Sequence, residues 1–132
     1  HAIGASGQGE GDLELLPEPA QEFVLPLAKA FRELQQVTAW IGDQSTKNRQ
    51  KVAAAANDYL RLFGLVALGS EWAKIVKIAH AALQNVSEKQ FYEAKIATAR
   101  FYMQYLLPQS SSLVTATMSS GSLITDFDTE AF

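Results

Sequence analysis

Residues 57–76, NDYLRLFGLVALGSEWAKIV, read as a helix that is apolar on nearly every side and carries two glycines. Leu62, Leu65, Gly69, Trp72, Val76, Ala79 and Leu83 recur at steps of 3 and 4, which places them on one helical seam. Tyr59, Phe63 and Val66 form a second stripe rotated from the first, and between residues 59 and 68 only Arg61 is charged. A helix apolar on several faces belongs in the middle of a bundle, sheathed by neighbours on more than one side. The spacing predicts one unbroken helix from near Ser45 or Thr46 to about Gln84, roughly 55–60 Å long at about 1.5 Å per residue. A turn near Gly69-Ser70 is the alternative. Gly64 and Gly69 are five residues apart, so they point about 140° away from each other. Each costs about 1 kcal/mol in a helix interior relative to alanine. The expectation is two close approaches by two different neighbours, with Gly64→Leu destabilising by overpacking.

The flanking segments supply the neighbours. Phe23, Leu27, Ala30, Leu34, Val37 and Ile41 lie on one helical face, which predicts a first helix from Pro19 or Pro26 to Asp43, ended by Gly42 and the polar run DQSTKN. Ser87-Glu88-Lys89-Gln90 has the form of a capping box, with Ser87 as N-cap and Val86 and Phe91 as a hydrophobic staple. Two stripes follow it: Phe91, Ala94, Thr98, Phe101, Tyr105, and Tyr92, Ile96, Ala99, Met103, Leu106. Pro108 ends or kinks this helix because it has no N–H for the carbonyl of residue 104. Helix is expected to continue to Ser120, with Gly121 as C-cap. No segment alternates as a strand does. The fold class is therefore all-α: an up-and-down bundle of three or four helices with a long central helix. Residues 1–18, with four glycines up to Gly11 and a short extended stretch after it, form a flexible linker or an added segment, and 19–132 form the bundle. A chain that starts at His1 rather than Met is expected to be a piece of a longer polypeptide.

Composition excludes several functions. Apolar residues make up 48% of the 132, enough for a core without staples. Cysteine is absent, which removes disulfide and thiolate chemistry and makes a reducing cytoplasm the default. The net charge is −3 and there is no Lys/Arg run, so no nucleic-acid surface is expected. Leu62–Ser70 is the longest uncharged run of the central stretch, far short of the roughly 20 residues a membrane span requires.

No spacing carries catalysis. His80 is the only interior histidine. A helical histidine with Leu83 three residues on faintly suggests a phosphorelay bundle, but Gln84-Asn85-Val86 lacks the basic and glycine positions, so an ordinary boundary histidine is favoured. Lys77 stands where a Glu-x-x-His metal pair would need its acid. Ser110-Ser111-Ser112 has no nucleophile-elbow context. No catalytic, cofactor-binding or metal-binding residue is assigned. Arg61, with Asp58 as its local candidate partner, and Arg100 interrupt apolar surroundings. Both can snorkel at helix edges or, with Trp72, make contacts to another domain or subunit.

The residues AAANDYLRLFGLVALGSEWAKI, followed about 25 residues later by FYEAKIATARFYMQYLLPQSSSL, resemble the extra C-terminal helical domain of the long acyl-CoA dehydrogenases. The likeness rests on Tyr59–Gly69 with Trp72, on Lys95–Pro108, and on the tail Thr129–Phe132; it covers roughly residues 20–132. At Leu65 the chain departs from relatives that often carry a polar residue or histidine. The resemblance implies a parent flavoprotein that binds FAD and oxidises an acyl-CoA thioester between Cα and Cβ. Its glutamate base and flavin site would belong to upstream domains. It further implies that this chain alone is inactive, and that it acts in packing, in homo-oligomer formation or in shaping the substrate entrance. The alternative is a free-standing interaction or phosphorelay-like module.

Overall fold

The computed structural model describes residues 18–84 and 87–125, with side-chain surroundings for 21–84 and 87–119. The linker expected over 1–18 falls almost wholly outside them, as do Val86 of the staple and the acidic tail from residue 126. Apart from Asn48 and the connection around 83–88, every described residue is helical and none is in a strand. Helix α1 is Glu18–Lys47, α2 is Arg49–Ala82, α3 is Lys89–Phe101 and α4 is Ser110–Thr125. Between α3 and α4 the chain stays helical through a π turn, Tyr102–Leu106, and a 3₁₀ turn, Leu107–Gln109. The molecule is thus an all-α bundle of three rods, the third being α3, the two turns and α4.

The cross-rod contacts give the directions. Thr38 on α1 hydrogen-bonds Tyr59 on α2 at 2.8 Å, and Leu27 on α1 lies against Gly69 on α2, so α1 and α2 are antiparallel. Glu22 meets Arg100, and Glu33 meets Ser110 and Ser111, so α1 and the third rod are parallel. The order is up, down, up. Among the described residues no helix is long and apolar enough to cross a membrane.

The predicted α1 face is the buried one: Phe23, Ala30, Leu34 and Val37 are in the core, with Leu27 and Ile41 packed against it. Its predicted end is wrong. The polar run after Gly42 is helical because Ser45 and Thr46 return their hydroxyls to the carbonyls of Gly42 and Asp43 and Lys47 pairs with Asp43 at 3.0 Å. The break comes at Asn48, which is extended and accepts the N–H groups of Gln50 and Lys51, as an N-cap does. Helix α2 therefore starts at Arg49, later than Ser45 or Thr46, and its 34 residues span about 51 Å without interruption at Gly69.

On α2 the seam holds. Leu62, Gly69, Val76 and Ala79 are buried, and Leu65, Trp72 and Leu83 are partly buried against the core. Neighbours sheathe the rod on more than one side, as expected, but not all round. The first and third rods cover two sides, while Leu60, Phe63, Leu68 and Ile78 stay exposed on the remaining side. The two glycines differ accordingly. A Cβ on Gly69 would lie 3.1 Å from Leu27, 3.4 Å from Leu107 and 3.5 Å from Tyr102, so both neighbouring rods close on it. A Cβ on Gly64 would meet nothing within 4 Å, which corrects the expected second approach.

The third rod also departs from its prediction. Ser87 makes no cap; α3 starts one residue later than a Ser87 box requires, with Glu88 at the N-cap and no side-chain cap bond. Of the stripe Tyr92, Ile96, Ala99, Met103, Leu106, the first four face inward, but Leu106 is exposed and Leu107 is buried instead, because the π turn shifts the register there. The other stripe, Phe91, Ala94, Thr98, Phe101, Tyr105, is exposed throughout. Pro108 neither ends the rod nor leaves it regular. It cannot donate to the carbonyl of residue 104, and the backbone widens ahead of it: Leu107 N–H bonds the carbonyl of Tyr102, five residues back. Five residues on an ordinary α-helix turn through about 500°, leaving two side chains about 140° apart. The π turn instead lets Tyr102 and Leu107 both reach Gly69. Helix α4 runs through Gly121 to Thr125, so Gly121 is not its C-cap.

Two stability predictions follow from the Gly69 crossing. Gly64→Ala should raise stability by about 0.4–1 kcal/mol, since the space is open and alanine is the better helix former. Gly69→Leu should lower it by about 1–3 kcal/mol through overpacking; denaturant unfolding of the two variants checks both. Tyr102 donates its hydroxyl to the Leu65 carbonyl at 2.6 Å, and burial raises its pKa above 10.0. The folded chain holds the neutral phenol where the unfolded chain releases its proton. That stabilisation is complete below pH 10.0 and disappears as pH rises through the folded value. Tyr102→Phe should therefore cost about 1 kcal/mol at neutral pH and flatten the alkaline loss of stability, read from urea midpoints across that range.

Candidate functional site

The chemistry-bearing side chains fall into separate places. Ser110 and Ser111 both donate to the Glu33 carboxylate at 2.8 Å, and the Lys29 ammonium donates to Ser111 Oγ at 3.2 Å. Ser110 is buried, so its hydroxyl is a tie between rods with no access for a substrate. The serine run thus clasps the start of α4 to α1. His80 sits in the last turn of α2 with Nε2 buried and, among the described residues, without a hydrogen-bond partner. A phosphodonor cannot reach a nitrogen enclosed in this way. Among the described residues no three His, Asp or Glu side chains converge as metal ligands would.

The three residues singled out as contact candidates lie apart. Arg100 forks onto Glu22 of α1, its Nε and Nη2 donating to the two carboxylate oxygens. It also lies over the Phe23 ring, 5.8 Å from the centroid. The bond to Glu22 is the main cause that raises the guanidinium pKa, against the opposing effect of burial. Both partners are largely exposed, so the pair adds less than about 1 kcal/mol. Trp72 packs, half-buried, against the core. Arg61 is exposed, and the expected pairing with Asp58 does not form; among the described residues Arg61 makes no ion pair or hydrogen bond.

Arg61 instead stands on an open cleft of about 270 Å³ between α2 and the start of α4, lined also by Gly64, Leu65, Leu68, Gln109 and Leu113. Periodicity did not point to this place, since it depends on which apolar residues of α2 stay uncovered. On the third rod, Phe101 and Tyr105 stack with centroids 5.0 Å apart, and Lys95 lies 5.2 Å above Phe91.

The flavin that the resemblance implies does not fit here. Pockets for drug-sized ligands run from about 300 to 1,000 Å³, and a flavin dinucleotide is larger still. Its pyrophosphate calls for a cradle of backbone N–H groups, whereas the cleft offers a single guanidinium and one carboxamide.

A search among curated proteins finds no match to the chain. A scan against protein families matches residues 6–128 to the family described as Acetyl-CoA dehydrogenase C-terminal like. The match takes in all four helices and both segments that carry the resemblance, and the chain belongs to that family.

Proposed function

We propose that this chain is the non-catalytic C-terminal helical domain of an FAD-dependent acyl-CoA dehydrogenase, an oxidoreductase of fatty-acid metabolism that converts acyl-CoA to enoyl-CoA. The domain packs against upstream domains of the same polypeptide and serves in dimerisation or in shaping the substrate entrance. The same reading puts the enzyme in the cytoplasm. The observation that carries the proposal is the contrast between inside and outside. The bundle closes around its own core, yet Leu60, Phe63 and Leu68 on α2 and Phe91, Phe101 and Tyr105 on the third rod remain open. Apolar faces of that extent are usual where a domain meets a partner. Family membership supports the reading that the partner is the rest of such an enzyme.

The expected outcome is simple to read. The 132-residue chain, purified alone and mixed with FAD and an acyl-CoA, should retain no flavin absorbance and reduce no electron acceptor. The longer polypeptide should carry flavin at one per subunit and turn over. Stoichiometric flavin retained by the 132-residue chain would overturn the reading.

A further inference from the structure

Leu60, Gly64 and Leu68 follow one another at four-residue intervals and so form one row along α2. Leu60 is 69% and Leu68 55% exposed, and Gly64 leaves a notch between them, with no atom of the described residues within 4 Å of where its Cβ would stand. Phe63, half exposed, stands beside the row, and the Arg61 cleft lies on its other flank. A glycine in a helix interior is unfavourable. Gly69 needs its missing Cβ for contacts within the bundle, whereas nothing in the bundle needs the one missing at Gly64. Arg61 is a cation at this notch with no carboxylate paired to it among the described residues.

We infer that the notch receives a helix of the catalytic part of the same polypeptide, with an apolar side chain seated over Gly64 between Leu60 and Leu68 and a carboxylate on that helix paired with Arg61. This rests on the reading of the chain as the C-terminal domain of an acyl-CoA dehydrogenase. A second copy of the chain is a poorer occupant. Packed antiparallel about Gly64, two such rows set Arg61 opposite Ala67, which offers no acid; packed parallel, they set Arg61 opposite Arg61. A Cβ and more fit at Gly64 in the bundle alone, so a bulky substitution there acts on docking and not on folding.

The test compares the 132-residue chain with the longer flavoenzyme. Gly64→Leu should leave the melting temperature of the 132-residue chain unchanged or raised. In the flavoenzyme, Gly64→Leu and Arg61→Glu should each uncouple melting of this domain from that of the body. Each should also speed release of this domain by limited proteolysis by roughly tenfold, equivalent to about 1.4 kcal/mol of lost docking. Lys77→Glu, elsewhere on the exposed side of α2, should do neither. Unchanged coupled melting and cleavage in a flavin-loaded enzyme would overturn this inference alone. A concentration-dependent dimer of the 132-residue chain that Gly64→Leu abolishes would overturn it in favour of a second copy. Absence of flavin from the longer polypeptide would instead overturn the functional reading on which it rests.

Discussion

The bundle is organised around a place where side chains of two rods close on a glycine of the third. At Gly69 the first rod contributes Leu27, and the third contributes Tyr102 and Leu107, all within van der Waals reach of where a Cβ would stand. A Cβ there would already require the Leu27 side chain to give way, and a larger side chain would overpack the crossing. The hydroxyl of Tyr102 on the Leu65 carbonyl ties the same crossing one turn earlier along α2. Above and below it the core is ordinary packing: Phe23, Val37 and Leu62 are buried almost completely, with Ala55 and Ala99 allowing close approach elsewhere. The polar ties are peripheral to this. Arg100 on Glu22 and the two serines on Glu33 join the third rod to α1 and fix its position along the bundle, while the apolar crossing on α2 supplies most of the burial.

The outside of the bundle is less ordinary than its inside. A small all-α domain whose function lay wholly within itself would present charges on its outer faces. Here α2 turns leucines and a phenylalanine outward over the turns where Arg61 is the only charge, and the third rod turns out a stacked aromatic pair. These faces are on different rods, so a single flat partner surface need not cover both. A domain held by two separate contacts to a larger body, or by one contact to the body and one to a neighbouring subunit, would use such an arrangement.

How much of this was legible depended on contrast between faces. On α1, apolar residues occupy one stripe and polar residues the opposite side, so Phe23 through Val37 could be assigned to the core from spacing alone. On α2 the apolar residues go all the way round, and a uniform helix has no phase: the seam through Leu62, Gly69 and Val76 was visible, but nothing in it said that Phe63 and Leu68 would be left outside. The third rod offered two stripes of equal quality, and the one with Ile96 and Ala99 packs inward, where smaller side chains let the rods approach. Capping signals were the least dependable. Ser87 and Gln90 have the right spacing, yet the inward stripe sets the start of α3 one residue later. Asn48, a good N-cap residue, is separated from the alanine run by Arg49-Gln50-Lys51-Val52 and sits in a polar stretch that resembles a loop. The candidate cleft was not legible, because it is defined by what fails to cover Gly64.

The segments that carry the family likeness gain a physical meaning from the crossing. The first, around YLRLFGLVALG, holds both glycines: Gly69, which lets the rods close, and Gly64, which nothing in the bundle occupies. The second, around KIATARFYMQYLLP, holds Tyr102, Leu107 and Pro108. The proline deprives residue 104 of its partner, the preceding turn widens to a five-residue bond, and two side chains that an α-helix would point apart are brought onto one glycine. Each segment makes sense only with the other present. The two therefore specify a mode of packing: a central rod with one notch filled from within, at Gly69, and a second, at Gly64, that nothing in the described bundle occupies.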